Sequence, residues 1–98
     1  MGQKFRKADS KIPGTETWLF WCPGCDGAHA VRTQGEGTTW EFNRNVYSPT
    51  LTPSVLVGVN MPLMRCHFHV KDGKIEYLPD CHHDLAGQTV DMPDWDSI

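Results

Sequence analysis

The sequence predicts an all-β fold, a small zinc-ribbon-like domain of about 5–7 short strands joined by hairpins around a cysteine knuckle. Three observations point there. Apolar residues recur with a period of two rather than 3.6 along most of the chain. Asp72-Gly73 is a strong two-residue hairpin turn flanked by alternating apolar residues. Cys22-Pro23-Gly24-Cys25 sets two thiols three positions apart across a tight bend.

The elements follow in order. Thr17 to Trp21 (TWLFW) is aromatic and β-prone, and Ala28 to Thr33 resumes after CPGCDG. These two runs form a first hairpin with the knuckle at its tip. Thr38 to Asn43 (TTWEFN) alternates, with Trp40 and Phe42 on one side. Pro49 and Pro53 interrupt SPTLTPS, since proline has no N–H to give a ladder. Val55 to Val59 is apolar apart from Gly58 and predicts a strand covered on both faces. The Asp72-Gly73 turn then places Val70 opposite Ile75, Phe68 opposite Tyr77 and Cys66 opposite Pro79, with Met64 and Cys81 continuing that face. The other face pairs His69 with Glu76 and Arg65 with Asp80. Beyond Cys81 a loop, a short strand near Gln88 to Asp91 and a frayed acidic tail are expected. Trp95, between two acids, either folds back as a plug or offers a partner an anchor.

A chain of 98 residues fits one domain, here a single zinc-binding β domain over 1–98. Its hydrophobic share of 39% supports a globular core, and a domain this small gains from a metal staple. Lys4, Arg6, Lys7 and Lys11 make 1–15 a basic N-terminal arm, while 92–98 is an acidic tail. Only five basic residues remain in between, so nucleic acid is a poor partner and protein a better one. No run reaches the ~20 apolar residues of a membrane helix. The opening residues lack the apolar stretch of a secretory signal, so a cytoplasmic location with reduced cysteines is expected.

In that setting closely spaced cysteines are metal ligands first. A redox pair would open a helix, whereas Asp26-Gly27 introduces another strand. The hairpin register brings Cys66 and Cys81 to one face, so Cys22, Cys25, Cys66 and Cys81 form the simplest closed zinc site. His67, His83 and His29 are alternative ligands or, with Asp80, outer partners of the ligands. His67 points to the opposite face, beside Leu78, and would need a strand twist to compete. A closed thiolate shell holds a fold and leaves no place for water, so the zinc is expected to be structural.

No H-E-x-x-H motif is present, and no His-x-Glu precedes the knuckle as a zinc deaminase requires. The residues favour an accessory or protein-interaction module over an enzyme. The rival is a metal-dependent, hydrolase-like enzyme using the His/Cys/Asp cluster around His67 and His83.

FWCPGC with His29, then YSPTLTPS, CHFHVKDGKIEYLPDC and HDLAGQTVDMP, resembles a family of small phage and bacterial proteins often labelled "ammonia monooxygenase". The resemblance spans Trp18 to Pro93 and implies a phage-type, cytoplasmic, zinc-binding domain. The matching positions are Cys22, Cys25, Cys66, His67, Asp80, Cys81 and His83. His69 departs from the pattern, where an apolar residue is expected. The resemblance implies no activity.

Overall fold

Short alternating strands bury one face each, and they need a second layer to cover it. The computed structural model describes residues 2–9, 12–58 and 60–98, and shows that second layer. One sheet holds β1 (Arg6–Lys7), β2 (Glu16–Cys22) and β3 (Gly27–Gln34) in the order β1-β2-β3. A ribbon pairs β4 (Glu41–Phe42) with β5 (Leu51–Thr52). A second sheet runs β6 (Val55–Val57), β7 (Cys66–Lys71), β8 (Lys74–Tyr77) and β9 (Thr89–Asp91), each antiparallel to its neighbour. Two 3₁₀ turns, Pro62–Met64 and Trp95–Ser97, complete it. Among the described residues no helix is long and apolar enough to cross a membrane.

The core lies between the two larger sheets. Phe20 from β2 meets Phe68 from β7 edge to face, with ring centres 5.7 Å apart. Val31, Leu51, Val55, Val70, Ile75 and Met92 close around them, all buried. The β7–β8 register is the expected one: Phe68 faces Tyr77, His69 faces Glu76 and Val70 faces Ile75. Asp72 and Gly73 both take positive φ (50° and 76°), as a two-residue turn matching the strand twist requires.

Four expectations are corrected. The basic arm at 1–15 is not wholly solvated, because Phe5 is fully buried and stacks on Phe20, while β1 pairs with β2. Of TTWEFN only Glu41 and Phe42 pair as strand; Trp40 turns instead to donate from Nε1 to the Ser54 carbonyl. Val55–Val57 is shorter than expected and covered on one face only, since Leu56 is 41% exposed; Val59 lies outside the described residues. The acidic tail is anchored, with Met92 buried and Trp95 Nε1 donating to the Leu19 carbonyl, so Trp95 is a plug.

Among the described residues Glu16 is the one charged residue that is buried. Trp18, Thr33 and Arg44 all donate to its Oε1. Burial works against its charge, but those three hydrogen bonds and the Arg44 guanidinium hold its carboxyl below the ordinary range. A depressed folded pKa stabilises the fold fully above the ordinary glutamate value of about 4.3. That contribution is lost as pH falls through the lower folded value. Glu16→Gln is therefore expected to cost about 1–3 kcal/mol at neutral pH. The gap from wild type should close in acid, as read by denaturant titration at several pH values.

Candidate active site and metal centre

The β2–β3 hairpin carries the knuckle at its tip because Cys22 is the last residue of β2 and Gly27 the first of β3. Even positions of β2 face inward, which buries Cys22 completely. On β3 the odd positions face inward, so His29 enters the same interior opposite Phe20. Cys66 opens β7 on its buried face and brings its sulfur 3.9 Å from that of Cys22. One ligand atom from each of Cys22, Cys25, His29 and Cys66 lies within 4.8 Å of all the others. A second group, Cys66, Cys81 and His83, meets the same criterion and shares Cys66. These Cys/His clusters can hold a metal ion.

Two features fit a cation. His29 Nε2 is buried and has no hydrogen-bond partner among the described residues, a costly state for an imidazole nitrogen unless something else meets it. The thiols also compete for charge. Cys66, acting as donor, holds Cys22 down at about 3 against the cost of burial, with the His29 ring and then Tyr77 Oη, at 3.0 Å, lowering it further. Cys66 is pushed up in return, and burial followed by the Cys22 charge pushes Cys25 up to about 11. Burial and the bond to Cys22 likewise raise Tyr77. An ionised Cys22 thus works against ionising Cys25 and Cys66, and a divalent cation would offset that repulsion.

His83 reaches the knuckle from the far side. Its Nε2 sits 3.4 Å from Cys66 Sγ, its ring meets Tyr77 edge to face, and burial lowers its pKa so that it stays neutral. The ring occupies the space above Gly24, where an added Cβ would fall about 2.2 Å from His83 Cε1. Gly24→Ala must therefore expel a ring held on two sides. An expected loss of about 1–3 kcal/mol is measurable by chemical denaturation.

A different constellation occupies the outer face of the same strands. Alternation on β7 buries Cys66 and Phe68 and turns His67 outward. β6 pairs Leu56 with His67, so Ser54, two residues earlier on that face, is its diagonal neighbour. Ser54 Oγ lies 3.3 Å from His67 Nε2. On the other ring nitrogen, His67 Nδ1 lies 3.3 Å from Asp80 Oδ2. A carboxylate only accepts, so in the neutral ring Nδ1 carries the proton and Nε2 is left to accept from the Ser54 hydroxyl. Ser54, His67 and Asp80 thus form one hydrogen-bonded chain in the order and ring polarity of a nucleophile, its base and an orienting acid.

An open cleft of about 760 Å³ adjoins this chain, with Trp40, Phe42, Arg44, Thr52 and Pro53 among its walls. Pro53 precedes Ser54 directly, and the Trp40 indole holds the Ser54 carbonyl at 3.1 Å. Ser54 therefore follows directly on a residue of the cleft wall.

The expected site residues divide between the two faces. Cys22, Cys25, Cys66, Cys81, His29 and His83 lie in the inner clusters. His67 and Asp80 belong to the outer chain, so His67 and His83 do not share a cluster, because neighbours on a strand face opposite ways. Asp80 makes its ion pair with His67 and not with Arg65, since it lies in the turn after β8 rather than in the ladder. Ser54 was not among the expected residues. Its only local signal is its phase with Leu56, and that becomes informative once the β6–β7 pairing is known.

Residues 3–78 match the family model described as "BubE: Bacterial ubiquitination-like system serine protease". The matched stretch includes Ser54 and His67 and ends two residues before Asp80. No curated protein and no solved structure matches the chain.

Proposed function

We propose that this chain, which belongs to the BubE family of bacterial ubiquitination-like system serine proteases, hydrolyses an amide bond in a protein substrate with Ser54 as nucleophile. The observation that carries the reading is the unbroken Ser54–His67–Asp80 chain, with the correct ring nitrogen toward each partner. Ser54 Oγ attacks the scissile carbonyl carbon as its proton passes to His67 Nε2. A C–O bond forms and the carbonyl becomes a tetrahedral oxyanion. His67 then returns the proton to the leaving nitrogen, the C–N bond breaks, and an acyl-Ser54 ester remains. Water then attacks the ester carbonyl as its proton passes to the same nitrogen; the acyl C–O bond to Ser54 breaks, His67 returns the proton to Ser54 Oγ, and the carboxylic acid leaves. Asp80 holds the ring in the required tautomer and stabilises the imidazolium while it exists.

The groove beside Ser54 suits an extended segment of a protein, and the family description supports a substrate from a ubiquitination-like system. The protein partner expected from the sparse basic residues is, on this reading, the substrate itself.

We assign the inner cluster a structural zinc held by Cys22, Cys25 and Cys66, with His29 as fourth ligand. Three thiolates and an imidazole suit that ion, and the orphaned His29 nitrogen favours it over Cys81. The ion would supply stability and leave hydrolysis to the outer face.

The reading is tested by kinetics on a cleavable amide or ester substrate. Asp80→Asn is expected to lower kcat by roughly 10²–10⁴-fold with KM little changed, because the tautomer is no longer fixed. His67→Ala should lose at least as much. Full activity in either variant would contradict it.

A further inference from the structure

We infer that Cys81 is a positioning residue for His67, gripping the base through its backbone. The inference rests on the catalytic reading of Ser54, His67 and Asp80. The β7–β8 ladder has its last paired residues at Phe68 and Tyr77, after which the chain turns through 79–80. Past that point backbone bonds from Leu78 and His82 continue to hold the strand, and the Cys81 side chain adds to them. The His67 N–H donates to Cys81 Sγ at 3.2 Å, and the thiol donates to the His67 carbonyl at 3.1 Å. That carbonyl also accepts from Leu78 N–H at 2.8 Å.

The same residue closes the turn that carries the acid. Cys81 N–H donates to the Leu78 carbonyl at 3.2 Å, which holds Asp80 inside the turn, and His82 N–H bonds the Arg65 carbonyl at 2.8 Å. Cys81 therefore fixes both ends of one critical distance. Its sulfur holds the strand that bears the imidazole, and its amide holds the turn that bears the carboxylate. His67 must face Ser54 and Asp80 at once, and an error near 1 Å in such a group can cost about 100-fold in rate. Cys22 Sγ also accepts a backbone N–H, from Cys25, but among the described residues Cys81 is the cysteine whose sulfur meets both the N–H and the carbonyl of one residue.

The test compares Cys81→Ala with Cys81→Ser in the metal-loaded protein. A serine hydroxyl can both accept and donate, so it can remake the two contacts. Cys81→Ala is expected to lower kcat about 10–100-fold with KM and bound metal unchanged, and Cys81→Ser to recover most of that loss. A readout independent of turnover is hydrogen exchange at the His67 amide. It should quicken at least 10-fold in Cys81→Ala and stay slow in Cys81→Ser. Equal loss of metal from both variants, or an unchanged exchange rate in Cys81→Ala, would overturn the inference. If Cys81→Ala does not fold, Cys81→Ser decides alone: slow His67 exchange with metal retained supports the inference, and fast exchange or metal loss overturns it. Undiminished turnover in Ser54→Ala is a separate outcome. It would remove the catalytic reading and leave the exchange result standing.

Discussion

Ser54→Ala is expected to lower kcat by about 10⁴-fold or more while leaving the fold intact. The size follows from the chemistry: without the hydroxyl no acyl-enzyme forms, and triads lose nearly all their advantage when one working member goes. What survives is the catalysis available from binding alone. The fold should survive because the Ser54 side chain is only half-buried, and among the described residues its one hydrogen bond is to His67. The bond that anchors this segment runs from Trp40 to the Ser54 carbonyl, which alanine keeps. Stability should stay within about 0.5 kcal/mol of wild type, as for substitutions away from core features. Substrate should still bind, so KM is expected to change far less than kcat. Progress curves set beside melting curves separate this outcome from simple unfolding.

The second large effect concerns the thiols. Stripping metal with a strong chelator, or replacing Cys22 by Ser, is expected to unfold the domain at room temperature. A structural zinc contributes about 10–16 kcal/mol of apparent binding energy in small motifs, while a whole domain is stable by only about 5–15 kcal/mol. The cluster also joins elements distant in sequence. Cys22 closes the first hairpin, Cys66 opens β7, and their contact spans 44 positions. Loss of that joint frees the two sheets from each other, since Phe20 on Phe68 packs just behind it. Each 1 kcal/mol lost lowers Tm by about 4–8 °C in a domain of this size, so the fall should exceed about 20 °C. Metal analysis and circular dichroism on the same samples check it. Hydrolysis should vanish together with the fold, and return with zinc.

Much of the architecture was legible because the controlling information is local. The Asp72-Gly73 turn specifies its own φ values, and alternation from Phe68 to Tyr77 leaves one register that buries the apolar set. Parity on β7 also separated Cys66 from His67 correctly, although the consequence of that separation lay in another segment. The Ser54–His67–Asp80 chain was hidden because its three members come from a loop, a strand and a turn. No short window holds two of them. Ser54 follows two prolines in a stretch that reads as a ladder break, and its partner is a diagonal neighbour on β7. His29 gave a readable hint through its phase with Val31, which marks it as core-facing. The termini misled because charge dominates their composition. One phenylalanine, Phe5, outweighs the lysines and arginine around it once its ring finds Phe20, Trp18 and Phe42.

The two faces of β7 give the fold a division of labour. Cys66 looks inward to the thiols, and His67, the next residue, looks outward to Ser54. Asp80 and Cys81 repeat the pattern across the turn, with the acid on the imidazole and the sulfur on its backbone. The inner cluster is therefore joined to the outer chain by the single Cys66–His67 peptide bond, which helps a domain of 98 residues to hold three side chains in register.

The most direct measurement is covalent labelling of the metal-loaded protein with a fluorophosphonate, followed by intact-mass analysis and peptide mapping. One adduct per chain is expected, on Ser54, absent in Ser54→Ala and strongly slowed in His67→Ala. No adduct on the wild-type protein, or an adduct that persists when Ser54 is replaced, would contradict the account.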